Sequence, residues 1–181
     1  MFYFVGKGYV KSDIIVNAMS RSGSSSELVI GPVHYGLIMT LTTYFFWKQT
    51  VAIYVIMIIS FGDGFAAIFG KITTGNQPLW WNPQKTWFGL VSFILTSTMG
   101  IVGIMTFYKK YFFLFFQITN RMIRFYVMEK NYISHAFYVS VICGLAETFT
   151  IPNYDNISLF VVSVLAHHFF ETLFHVCLKI S

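Results

Sequence analysis

TVAIYVIMIISFGDGFAAIFG, residues 50–70, is a stretch long enough to cross a bilayer, and Asp63 is its single charged side chain. A hydrocarbon core about 30 Å thick takes roughly 20 mostly apolar residues per helical crossing. Working outward, similar runs lie near Pro32 to Trp47, Phe88 to Tyr108, Tyr132 to Ile151 and Ile157 to Leu178, which with Thr50 to Gly70 makes five. The composition agrees, since 56% of the 181 residues are apolar or aromatic and 10% are charged, against about 25% charged in a soluble domain. The expected fold is therefore all-α, a multi-pass transmembrane bundle of about five crossings, with residues 1–181 as a single membrane-embedded domain. Residues 1–30 form an N-terminal approach, Ser-rich over Ser20 to Ser26. The apolar patch Tyr111 to Ile118 is too short to span and reads as an interfacial helix or an extension of the third crossing.

The net charge of +5 comes from Lys and Arg scattered between apolar runs, as membrane-flanking residues are. No dense basic run appears, so no nucleic-acid partner is expected. Cys143 and Cys177 both sit inside apolar stretches and read as small buried residues. Crossings alternate sides, and the alternation puts the loop Lys71 to Trp87, the end of the fourth crossing and the turn Pro152 to Asn156 on one face. The basic stretch Lys109 to Lys130 falls on the other.

Of the seven acids, Asp63 and Glu147 lie within spanning runs and Asp155 at the mouth of the last one. A carboxylate at a helix centre costs about 2.5–3.5 kcal/mol on insertion scales, so each is a candidate for function and is expected to have a partner. Asp63 is flanked by Gly62 and Gly64, an arrangement that leaves its oxygens open to a metal ion. The 71–87 segment carries Lys71, Thr73, Thr74 and Gly75, then Lys85-Thr86-Trp87-Phe88-Gly89. Ammonium groups, hydroxyls and backbone amides together suit a polyphosphate, which makes 71–87 a candidate nucleotide-phosphate loop. Asp155 and Asn156 are also expected to cap the last helix. Convergence of Asp63, Glu147 and Asp155 would favour Mg²⁺, and with it a nucleotide phosphate.

In the last crossing His167, Glu171 and His175 follow at four-residue steps with His168 beside them. Four-residue spacing puts them on one helical face and could supply metal ligands. With no matching second set in the chain, the expectation is a helix-contact or interfacial role.

Several short motifs, taken in order and spacing, resemble the polyprenol kinase family, which includes phytol and farnesol kinases and, more distantly, dolichol kinase. They run from about Ser20 to His168: Ser20-Arg21-Ser22-Gly23, Glu27-Leu28, Gly31-Pro32, Gly62-Asp63-Gly64-Phe65-Ala66, Lys85-Thr86-Trp87 with Gly89, Glu147-Thr148 and Asp155-Asn156-Ile157-Ser158. The resemblance implies transfer of the terminal phosphate of a nucleoside triphosphate, typically CTP, to a long isoprenoid alcohol such as phytol or farnesol. It implies an integral membrane location, in a plastid or the endoplasmic reticulum, with membrane lipids as surroundings. Ala67 stands where phytol-kinase-like members often carry Asp, and Thr86 where Ser is usual. Family members carry further crossings upstream, so the resemblance also implies a chain N-terminally truncated relative to them.

Chemistry and resemblance together assign Asp63, Glu147 and Asp155 as catalytic, with Asp63 on Mg²⁺. Lys71, Lys85, Gly62, Gly64 and Asn156 are assigned to the nucleotide. Alternative readings are a CTP-dependent diacylglycerol kinase, a phosphatidate cytidylyltransferase, or a small membrane transporter whose acids line an ion path.

Overall fold

The computed structural model describes residues 27–47, 49–72, 77–108, 110, 132–150 and 154–180, without the side chains of 27–30 and 174–180. The Ser-rich approach, Thr73 to Gly75, the patch Tyr111 to Ile118, Pro152 and Asn153, and the side chains of His175 and Cys177 lie outside the described residues. Among the described residues five helices stand where the apolar runs are: α1 Glu27–Phe45, α2 Thr50–Ile72, α3 Trp87–Phe107, α4 Tyr132–Phe149 and α5 Asp155–Ile180. Three of them, α2, α3 and α5 over Asp155–Leu173, are long and apolar enough to cross a membrane. Helices α1 and α4 have 19 and 18 residues. α4 is more polar because it carries His135, Ser140, Glu147 and Thr148, all buried inside the bundle. α1 carries Pro32 in its second turn, where the ring removes the backbone bond to the Leu28 carbonyl.

The packing order follows the chain. The second half of α2 lies against α3, α3 against α4 and α4 against α5, while α5 returns to the first half of α2 and to α1. Val55, Ile58, Phe93, Ile101, Val139, Cys143 and Leu159 are fully enclosed between them, whereas Val91, Leu95, Met99, Leu145, Val161 and Leu165 face outward. An apolar exterior of this kind is what lipid contact requires.

Two close approaches set the spacing. A Cβ on Gly144 of α4 would sit 3.1–3.2 Å from the tips of Ile94, Leu90 and Phe93 on α3. At the other crossing, Gly70 of α2 and Gly89 of α3 nearly touch, and a Cβ on either would meet Thr86 Oγ1 at 3.2 or 3.1 Å. Thr86 caps α3, its hydroxyl accepting from the Gly89 N–H at 3.2 Å. The start of α3 is thereby clamped to the end of α2.

Inside α2, Ile58–Asp63 winds as a π-helix. Buried Gly62 faces the Phe93 ring, where a Cβ would be 3.0 Å from the ring carbons, and the Phe61 carbonyl accepts from the Thr96 hydroxyl at 3.2 Å. These contacts hold the wide turn against α3, as backbone groups freed inside a membrane helix need new partners.

One element departs from a purely helical expectation. Within the 71–87 segment, β1 Pro78–Leu79 and β2 Asn82–Thr86 pair antiparallel, with a bulge between the Pro78–Thr86 and Leu79–Asn82 pairs. Pro78, Asn82 and Pro83 are turn and edge-strand residues, and they make a hairpin possible here.

Gly144→Val is expected to destabilise the bundle by about 1–3 kcal/mol through overpacking. Gly103→Val, where nothing lies within 4 Å of the added Cβ, should leave stability unchanged. Thermal unfolding of both variants in the same detergent checks the pair.

Candidate active site

The ends of three elements meet at one end of the bundle. Strand β2 delivers Lys85, the last turns of α4 deliver Glu147, and the first residue of α5 is Asp155. The Lys85 ammonium donates to Glu147 Oε1 at 2.6 Å and to Asp155 Oδ2 at 3.1 Å. Both acids are almost enclosed, Glu147 4% and Asp155 9% exposed. Burying a carboxylate is costly unless it has a charged or hydrogen-bonding partner, and Lys85 supplies one to both acids.

Asp155 is held from two directions. Its Oδ1 lies 2.8 Å from the Thr150 hydroxyl, which donates to it, and that hydroxyl is also 2.8 Å from the Glu147 carbonyl. Two donors, one on each oxygen, fix the carboxylate's orientation. The capping role expected of Asp155 is thus overlaid by side-chain contacts to Lys85 and Thr150. Asn156 follows in the same turn, half-buried.

The hairpin is pinned to α4 by a small polar and aromatic joint. The Trp81 indole N–H donates to Thr148 Oγ1 at 3.1 Å, and the Asn82 amide donates to the Thr148 carbonyl at 2.8 Å. The Trp81 ring stacks on Phe149 at 5.9 Å and meets Trp87 edge-on at 5.6 Å. These contacts carry β2, and so Lys85, onto the end of α4.

The other assigned residues lie on α2. Asp63 ends the π-helical turn, half-buried, with Gly64 after it and open space where a Gly64 Cβ would be. Gly62 is engaged by Phe93, so its lack of a side chain serves helix packing. Lys71 is exposed in the last turn of α2, on the side from which the chain passes to the hairpin. The structure thus brings Lys85, Glu147 and Asp155 into direct contact, with Asp63 and Lys71 on the neighbouring helix that packs against α3. Thr150, Trp81 and Asn82 were not expected from the sequence. Thr150 had a legible signal, a hydroxyl three residues past Glu147 at a helix end; Trp81 and Asn82 acquire their role only through the hairpin's docking.

No protein-family model matches the chain, and no solved structure matches it. Among curated proteins it is similar to a probable phytol kinase 2, chloroplastic, of Oryza sativa subsp. japonica, at 34% identity over 61% of this chain and 36% of the relative. Phytol kinase 1, chloroplastic, of Arabidopsis thaliana is 23% identical over 86% of this chain and 48% of its own length. The farnesol kinase, chloroplastic, of the same plant is 30% identical over 59% and 35%. These matches support the polyprenol kinase assignment carried by the motifs. In each of these alignments the chain spans between about a third and a half of the relative's length.

Lys85→Met would strand two buried carboxylates, and breaking such a pair costs about 3 kcal/mol or more. The double variant Lys85→Met/Glu147→Gln removes the more buried charge and should recover at least half of that loss. Unfolding midpoints of the single and double variants in nanodiscs measure this.

Proposed function

We propose, taking the likeness to polyprenol kinases as premise, that this chain carries a site transferring the terminal phosphate of CTP to the hydroxyl of an isoprenoid alcohol in a plastid membrane. The observation that carries the reading is the contact of one lysine with two enclosed carboxylates at a bundle end. Phosphoryl transfer needs positioning and charge neutralisation rather than covalent chemistry by the protein, and this group offers both.

The donor set fits Mg²⁺, a hard cation that takes carboxylate oxygens and keeps much of its water. Asp63, half-buried beside Gly64, would hold it. When bound, the ion neutralises phosphate charge and aligns the transferred group. The protein's own residues do the rest. Lys85 exchanges one carboxylate partner for a phosphate oxygen as the nucleotide arrives, and Lys71 holds a second phosphate oxygen from the end of α2. Gly64, with no side chain, leaves room beside Asp63 for the nucleotide, and Asn156 offers an amide to it. Asp155, oriented by Thr150 and Lys85, accepts the proton of the attacking hydroxyl, a role typically contributing 10²–10⁴-fold. Glu147, the nearer partner of Lys85, keeps that ammonium in place.

The alcohol's chain lies in the membrane with its hydroxyl at the boundary. Trp87, Phe88 and Phe149 are exposed at the mouth of the site, and their ring faces suit an isoprenoid tail passing from lipid to the carboxylates. Because the acids converge on a lysine at one end, phosphate transfer is favoured over an ion path along the bundle.

Purified protein supplied with labelled CTP and phytol or farnesol should form the labelled prenyl monophosphate. Asp155→Asn and Asp63→Ala should each lower the rate at least 100-fold. Glu147→Gln should act mainly by raising the KM for CTP. Asp63→Ala transferring label as well as wild type would overturn the assignment of Asp63. Label appearing in phosphatidate or in a cytidine-diphosphate lipid would instead select the diacylglycerol kinase or cytidylyltransferase reading.

A further inference from the structure

At the far end of the bundle from Lys85 there is a second polar cluster that the proposed reaction does not use. Tyr54 of α2 and His135 of α4 are hydrogen-bonded, hydroxyl to Nδ1, at 2.7 Å. Their rings and that of His167 on α5 pack mutually, with centroids 4.6, 5.0 and 5.1 Å apart. His167 is 4% exposed, and its Nδ1 is buried without a hydrogen-bond partner. A polar nitrogen shut away from water without a partner costs free energy, so its position calls for a ligand.

The atoms nearest that nitrogen are potential metal ligands. Glu171 Oε2 lies 3.8 Å from His167 Nδ1 and 3.5 Å from His168 Nδ1. The three residues each offer one ligand atom, and the three atoms lie within 4.8 Å of one another. Zinc bonds of about 2.0–2.1 Å in tetrahedral geometry put neighbouring ligand atoms about 3.3 Å apart. The three donors therefore frame a space slightly wider than a zinc ion needs. Glu171 is partly exposed and can swing to close it. The His135 and Tyr54 rings pack against the His167 ring and fix its place.

We propose that His167, His168 and Glu171 form a zinc-binding site, with two imidazoles, one carboxylate and a fourth position open to water or an outside ligand. The ion would occupy the last turns of the α5 span, where it satisfies the buried nitrogen and compensates the carboxylate. The i, i+1, i+4 spacing lets one helix supply the whole set, so no second cluster in the sequence is required. Borderline nitrogen and carboxylate donors suit zinc better than the all-oxygen set expected for Mg²⁺ at the other end. The site rests on no part of the kinase reading.

The test uses the whole chain in detergent, stripped with chelator and titrated with Zn²⁺, the bound metal being counted by elemental analysis. Co²⁺ gives an independent readout through its visible tetrahedral bands. Wild type should bind one equivalent, and its unfolding midpoint should rise with zinc. The double variant His168→Ala/Glu171→Gln changes two partly exposed side chains and spares buried His167, and it should bind at least ten times more weakly. Asp155→Asn, at the opposite end, should retain the full equivalent. Zinc uptake by wild type no greater than that of the double variant, or loss of the equivalent on Asp155→Asn, would overturn the proposal.

Discussion

One ammonium group between two enclosed carboxylates is the contact on which the site depends. Lys85 comes from a strand, Glu147 from the end of α4 and Asp155 from the start of α5, so the ion pairs tie the strand to a helix junction more than sixty residues further along the chain. Desolvated carboxylates repel one another and resist burial, and a shared lysine makes their proximity tolerable. The arrangement gathers two acids and one ammonium at one end of the bundle.

The lysine reaches that position through packing. Gly70 and Gly89 allow α2 and α3 to approach until Thr86 lies between them, which directs the strand preceding α3 toward α4. Trp81 and Asn82 then fasten the hairpin to the last turn of α4 through Thr148, and Trp81 covers Phe149. Gly144 brings α4 against the Leu90, Phe93 and Ile94 side of α3. Between lipid-facing helices there is little hydrophobic drive to associate, so small residues and polar contacts settle which faces meet. The positions linking α2, α3 and α4 have that character.

The bundle is polar at both ends in different ways. Around Lys85 the groups are hard oxygens and an ammonium; around His167 they are imidazoles, a phenol and one carboxylate.

The five helices were legible from apolar runs of spanning length, and the common face of Lys85, Glu147 and Asp155 from alternation of crossings. Those features depend on hydrophobicity and chain parity, which are local and additive, so the sequence by itself determined them. It did not disclose that Lys85 would sit 2.6 Å from Glu147, that Thr150 would orient Asp155, or that the 71–87 segment would fold into a bulged hairpin. Nor did four-residue spacing show that His168 would share Glu171 with His167. Such contacts arise from side-chain directions and helix crossings set by glycines at 70, 89 and 144. Only the tertiary structure decided them, because packing distances belong to pairs of helices and are not written in either helix alone.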